Sequence, residues 1–234
     1  MENKRVIISI IVVIVLIVGI ISITYMFSGF SKNQTKILTD ETNKILQSDI
    51  TTDNIDLDIK TDKNYAIVEQ ALKEYISDLK NIYVEINEMN TGINPNNIFS
   101  AQNMQDKDLS KIDDIVKEYK EKSQNAIEEL EQMLTEEKIT ENIENRNINK
   151  RKDYYKDLYT TIMLSDTMKS QYNKLEEKVK DEKSKLTEKI NQIDKISEFL
   201  KKNTDAWTIK DEKIQFTNLN RMTEYYSLLN KLTD

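Results

Sequence analysis

Apolar residues follow three regimes along this chain. An unbroken run comes first, then sparse stripes, then long stretches in which they recur every three or four positions. The clearest periodicity covers Asp62 to Asn90, where Tyr65, Val68, Leu72, Tyr75, Leu79, Ile82, Ile86 and Met89 alternate between spacings of three and four. That average of about 3.5 marks helices packing side by side with a left-handed twist. Ala71, Ile76 and Tyr83 widen the stripe, which predicts a bundle of several helices rather than a two-stranded coil.

Gly92 and Pro95 end this helix, and Ile98 and Phe99 are candidates to plug one end of the bundle. A second stripe, Leu109, Ile112, Val116, Tyr119, Ser123, Ala126, Leu130 and Met133, predicts a helix from about Asp108 to Glu137. Its similar length makes the two an antiparallel helical hairpin. Lys138 to Lys150, with only Ile139, Ile143 and Ile148 apolar, reads as a polar connector or a short helix.

From Arg151 to Lys202 apolar residues recur at Tyr155, Leu158, Ile162, Met168, Tyr172, Leu175, Val179, Leu186, Ile190, Ile193 and Leu200. Unbroken, such a helix would reach roughly 78 Å against roughly 45 Å for its neighbours. The stripe is thin in the middle and places Glu182 on the seam, leaving two alternatives: a break near Asp181 to Ser184, or a helix that overhangs. After Asn203, Trp207 and Ile209 then Ile214 and Phe216 alternate around Lys210–Lys213, a small hairpin with one apolar face. Thr217 is placed to cap a last helix carrying Leu219, Met222, Tyr226, Leu229 and Leu232.

The opening regime is Val6 to Phe27, free of charge and broken only by Ser9, Gly19, Ser22 and Thr24. As a helix it would span roughly 33 Å, matching a hydrocarbon core of about 30 Å. It is longer than the h-region of a cleaved signal peptide and no A-x-A-like site follows it, so an uncleaved signal anchor is the expectation. Lys4 and Arg5 precede it, and a short N-terminal tail favours N-in, C-out.

Residues 1–5 then form a cytoplasmic tail, 6–27 the transmembrane anchor, 28–61 a stalk and linker, and 62–234 an extracytoplasmic helical bundle domain. Within the stalk, Ile37, Leu38, Ile45 and Leu46 make a modest amphipathic stripe, and Thr51 to Lys60 reads as an extended, solvated linker. Its aspartates fail the calcium-loop pattern, since counting from Asp56 puts Thr61 and Ile67 where Gly and Glu are required. The expected fold class is mainly α: a single N-terminal transmembrane helix, then an elongated antiparallel helical bundle with a small C-terminal β-hairpin and a terminal helix.

Composition narrows the chemistry. Three Gly and one Pro in 234 residues argue against a sheet protein rich in turns and for a few long helices. Without His or Cys there are no Ser–His–Asp triads, thiolate metal sites or disulfides. No glycine-rich phosphate loop occurs, the glycines being Gly19, Gly29 and Gly92. A two-carboxylate mechanism needs only acids, but no cleft-forming cluster marks any pair out. No residue is therefore assigned a catalytic, cofactor-binding or metal-binding role, and no cofactor is expected.

The net charge of −7, finely alternating along the chain, does not suit nucleic acid. One basic cluster, Arg146, Lys150, Arg151 and Lys152 beside Tyr154, Tyr155 and Tyr159, could meet an anionic polymer, with a solvated rim as the plainer reading. Tyr65, Tyr75 and Tyr119, at heptad positions, are read as core. The expectation is a single-pass cell-membrane protein, not an enzyme. Its partners are the lipid bilayer through 6–27 and a protein, or a second copy, through its helices. The alternative is a sensor-like bundle binding a small ligand or an envelope polymer.

Overall fold

The structure, a computed structural model, describes residues 29–232 and is mainly helical with one small antiparallel hairpin. Its helices are α1 (Gly29–Gln47), α2 (Lys63–Gly92), α3 (Pro95–Ile98), α4 (Ser110–Met133), α5 (Glu136–Glu144), α6 (Lys152–Met163), α7 (Asp166–Lys202) and α8 (Leu219–Asn230). Strands β1 (Trp207–Lys210) and β2 (Lys213–Phe216) precede α8. Among the described residues no helix is long and apolar enough to cross a membrane. The expected anchor at 6–27 lies outside them.

The chain divides into two compact units. The first takes in the described residues up to Tyr83 together with Leu130–Glu177, and the second Val84–Glu129 together with the residues from Lys178 onward. Helices α2, α4 and α7 contribute to both. All eight seam positions of α2 named above are buried, with Val68, Leu79 and Ile86 fully so. On α4 the seam is buried except at Tyr119 and Met133, which are half-buried.

In the first unit α1 and α2 run in the same direction. Gln34 exchanges hydrogen bonds with Asp62 (2.6 and 3.3 Å), Thr35 donates to the Tyr65 hydroxyl (3.1 Å), and Glu41 meets Lys73 (2.7 Å). Parallel helices need a return segment, and residues 51–61 supply it. The Asp53 carbonyl accepts from Lys80 Nζ, the Asp58 carbonyl accepts from Lys73 Nζ, and the Thr61 amide donates to Glu69, so the segment descends along α2.

Of the stretch 28–61, expected as a stalk and linker, the residues from Gln34 to Thr51 pack into the unit, while 52–60 is non-helical and largely exposed as the linker reading had it. The apolar stripe of α1 is sparse, but Leu38, Ile45 and Leu46 are buried, and Gln34, Thr35 and Glu41 find polar partners on and beside α2. Polar side chains doing the work of packing are invisible to a hydrophobic count. Helix α6 also runs with α2. Asn64 donates to the Lys150 carbonyl (2.9 Å), Tyr65 and Tyr154 hydroxyls meet at 3.4 Å, and Asn142 bridges the Ala71 carbonyl and the Tyr159 hydroxyl.

Two helix boundaries differ from expectation for reasons of capping. Thr135 accepts from the Lys138 amide at 3.3 Å, ending α4 at Met133 rather than near Glu137 and starting α5 in what had two readings, connector or short helix. The break in the 151–202 stretch falls at Leu164–Ser165. There Ser165 accepts from the Met168 amide (3.3 Å) and Asp166 lies in the first turn, favourable at a helix N-terminus. At 181–184 the helix continues, because Glu182 on the seam is satisfied. Asn90 donates to its carboxylate and carbonyl (both 2.7 Å), and Lys185 donates to its other carboxylate oxygen (2.8 Å).

In the second unit α4 runs antiparallel to α7, with Lys120 on Asp194 (3.0 Å) and Lys201 on Asp113 (2.6 Å). Strands β1 and β2 pair in the register Trp207↔Phe216, Thr208↔Gln215, Ile209↔Ile214 and Lys210↔Lys213. Trp207, Ile209, Ile214 and Phe216 therefore share one face, as the alternation predicts. The turn is Asp211–Glu212, both at positive φ (51° and 58°), the geometry that matches strand twist but favours Asn-Gly. Replacing the pair by Asn-Gly is expected to stabilise the second unit by about 1 kcal/mol, read as a rise in the urea midpoint, because two side chains leave a left-handed region that costs each of them.

Helix α8 is capped by Asn218, whose side chain accepts from the amides of Asn220 and Arg221, rather than by Thr217. Thr217 instead bonds the Ala206 carbonyl and closes the hairpin. Tyr225 is the buried ring of α8, against Phe216 at 5.2 Å, whereas Tyr226 and Leu219 are exposed. Gln192 fixes α8 to α7 through the Leu228 carbonyl (2.7 Å).

Candidate functional site

The most occupied polar cluster lies in the first unit. Lys73, 2% exposed, donates from Nζ to Glu41, Glu69 and the Asp58 carbonyl, each at 2.7 Å. Glu69, 1% exposed, also accepts from the amides of Lys60 and Thr61 and from the Thr61 hydroxyl. Burial pushes its carboxyl up, but Lys73, Thr61 and the two amides outweigh that and hold it below the ordinary value. The same balance, through Lys44 and Lys73, lowers Glu41, while Glu41 and Glu69 raise Lys73 against its burial. With every charge answered, the cluster fastens α1 and the return segment to α2 and offers nothing to a ligand.

The residues singled out in the basic and tyrosine cluster separate. Arg146 pairs with Glu74 (2.7 Å) and with the Asn142 side chain. Tyr159 is fully buried. Tyr65, Tyr155 and Tyr154 stack edge to face at 5.1 and 4.9 Å, so these rings are committed to one another rather than spaced for bases. Lys150, Arg151 and Lys152 remain together and exposed. Between Asp56 and Asp58 the Lys60 ammonium sits at 3.5 and 3.2 Å, where a cation would otherwise be drawn. Among the described residues no three His, Cys, Asp or Glu gather to hold a metal ion.

The second unit carries a groove of about 710 Å³ between the α3 end, the hairpin and α8. Its apolar walls are Pro95, Phe99, Ile209, Ile214, Tyr225 and Leu229; Asn96, Gln102 and Gln105 supply amides, and Glu212 and Lys213 stand at the hairpin tip. Asn94 caps α3 by accepting from the Asn96 amide, Pro95 takes the first helical position, and Asn103 bonds the Asn97 and Ile98 carbonyls, which sets one wall. Phe99 and Ile98 are both buried, Phe99 at the edge of this groove. Tyr226, 45% exposed, lines the mouth.

Sequence reasoning missed the groove because it placed Tyr226 inside. The stripe Leu219, Met222, Tyr226 and Leu229 pointed to Tyr226, whereas Tyr225 is the ring that turns inward against Phe216. A smaller cleft of about 570 Å³ in the same unit is bounded by Glu85, Glu88, Met89, Glu118, Tyr119 and Lys122. Glu118 there is paired with Lys122 at 2.6 Å.

No protein-family model, curated protein or solved structure matches this chain.

Proposed function

We propose that the chain is a membrane-tethered extracytoplasmic interaction protein. Residues 6–27 are its uncleaved anchor, and the groove of the second unit is the surface that receives a protein partner. The observation that carries the reading is the lining of that groove. Apolar and aromatic walls with a few amides suit an extended peptide segment, whose side chains enter the walls and whose backbone meets Asn96, Gln102 and Gln105. Acid–base chemistry is poorly served there, since Glu212 is its one carboxylate and stands beside Lys213. The alternative of a small-ligand sensor would use the smaller acidic cleft, where Lys122 already answers Glu118.

A photo-reactive phenylalanine in place of Tyr226 is expected to give one discrete adduct in intact cells, with a several-fold loss when Ala101→Trp, at a residue that also lines the groove, fills it. The same photo-reactive residue at Lys117, exposed on α4, serves as the control. Equal cross-linking from both positions, or indifference to Ala101→Trp, overturns the groove as the docking surface. A cysteine at exposed Ser227 tests topology cleanly in a chain without native Cys. Labelling by an impermeant maleimide only after lysis overturns the extracytoplasmic placement.

A further inference from the structure

The turn of α1 around Gln34 and the first turns of α2 and α6 lie at one end of the first unit, as the bonds of Gln34 to Asp62, Asn64 to the Lys150 carbonyl and Tyr65 to Tyr154 require. This gathers exposed cations from three separate stretches: Lys32 and Lys36 on α1, Lys63 opening α2, and Lys150, Arg151 and Lys152 opening α6. The exposed acids beside them are Asp62, Asp153, Glu144 near Lys152 and Asp40 one turn beyond Lys36, four against six cations. In a chain with a net charge of −7, this end is locally reversed in sign. The N-termini of α2 and α6 add their positive dipole ends to it. Tyr154 and Tyr155, half-buried, bring to the same end the amphipathic rings that favour a membrane–water interface.

The position of this end in the chain gives the charge reversal a partner. The apolar run finishes at Phe27, five positions before Lys32 on α1. Whatever bilayer the run spans therefore lies directly beside the basic end. The geometry points to a contact between this end and the anionic headgroups of the leaflet outside the cytoplasm, so that the first unit rests on the surface instead of swinging on its anchor. The inference rests on the anchor reading of 6–27. Near an anionic surface each Lys or Arg contributes roughly five-fold in partitioning, so three neutralised side chains are readily measured.

The test uses the full chain reconstituted into vesicles of phosphatidylcholine alone or mixed with phosphatidylglycerol, each with a trace of a nickel-chelating lipid. A spin label is carried at Asn149→Cys beside the basic end, or at Ser170→Cys. Ser170 is exposed and adjoins Gln171, which bonds the Leu46 and Ser48 carbonyls at the far end of α1. Relaxation enhancement is expected to be several-fold larger at 149 than at 170. It should grow with phosphatidylglycerol and fall to the phosphatidylcholine level in high salt or in the exposed-site variant K150Q/R151Q/K152Q. Equal enhancement at the two positions, or no response to lipid charge, in a chain that still floats with the vesicles overturns the contact alone. Failure to float with either vesicle overturns the anchor reading and the contact with it.

Discussion

Lys73→Ala is expected to destabilise the first unit by about 3–5 kcal/mol, the cost of leaving buried charge without its counter-ion. Glu41 and Glu69 both face Lys73 Nζ at 2.7 Å, and neither is more than about 6% exposed. Without the ammonium, Glu41 keeps Lys44, and Glu69 keeps Thr61 and the Lys60 amide. Those partners do not cancel two carboxylates. The return segment loses its Asp58 anchor at the same time, so amide exchange over 51–61 should accelerate beyond the global change. The triple replacement Glu41→Gln, Glu69→Gln, Lys73→Met removes all three charges and should recover most of the loss, because a buried ion cluster is weak evidence for stability in itself. A Lys73→Ala chain that melts with the wild type would remove the cluster from any structural role.

The same cluster sets a pH window. Both carboxyls are held below the ordinary 4.5, so their contribution is present above that pH and is lost as pH falls through the lowered values. Lys73 is held above 10.5, so its contribution is present below that pH and is lost as pH rises through the raised value. The deficit of Lys73→Ala should therefore be fullest on the plateau between and shrink in acid, where the orphaned carboxyls take up protons.

What the sequence made legible, and what it did not, follows from how each feature is encoded. The α2 seam could be read residue by residue because burial there is carried by apolar side chains on a single period. The hairpin followed from alternation alone, even though its turn, Asp211–Glu212, lacks the residues such a turn prefers. The packing of α1 was hidden because polar residues, Gln34, Thr35 and Glu41, carry part of it through bonds to distant partners. Helix starts at Glu136 and Asp166 were written locally, in Thr135 and Ser165, but a continuing apolar stripe masked them. The groove was hidden because the apolar stripe of the last helix favours Tyr226. The contact with Phe216 that buries Tyr225 comes from the hairpin and leaves no mark on that stripe. Sites assembled from loop, hairpin and helix edge leave little periodic trace.

Trp207→Ala is expected to cost about 3–5 kcal/mol, as truncation of a buried aromatic does. The indole is 1% exposed, and its Nε1–H donates to the Leu200 carbonyl at 2.9 Å, in the last turn of α7. Lys107 Nζ stands 4.8 Å from the ring centroid and donates to the Trp207 carbonyl (2.7 Å) as well as to that of Thr204. The ring thus joins the end of α7, the loop before α4 and the start of the hairpin. A two-stranded hairpin is marginal unaided, so its removal should release the hairpin and α8 together. Trp207→Phe should cost much less than Ala. It keeps most of the apolar volume, and the Leu200 carbonyl still accepts from the Asn203 amide at 3.2 Å. Because Trp207 is the only tryptophan, its emission reports this site alone. The folded chain should emit in the blue, resist acrylamide and shift to the red as the second unit unfolds. Native emission at the wavelength of a solvated indole would dismiss the docked hairpin, and with it the wall that Ile209 and Ile214 give the groove.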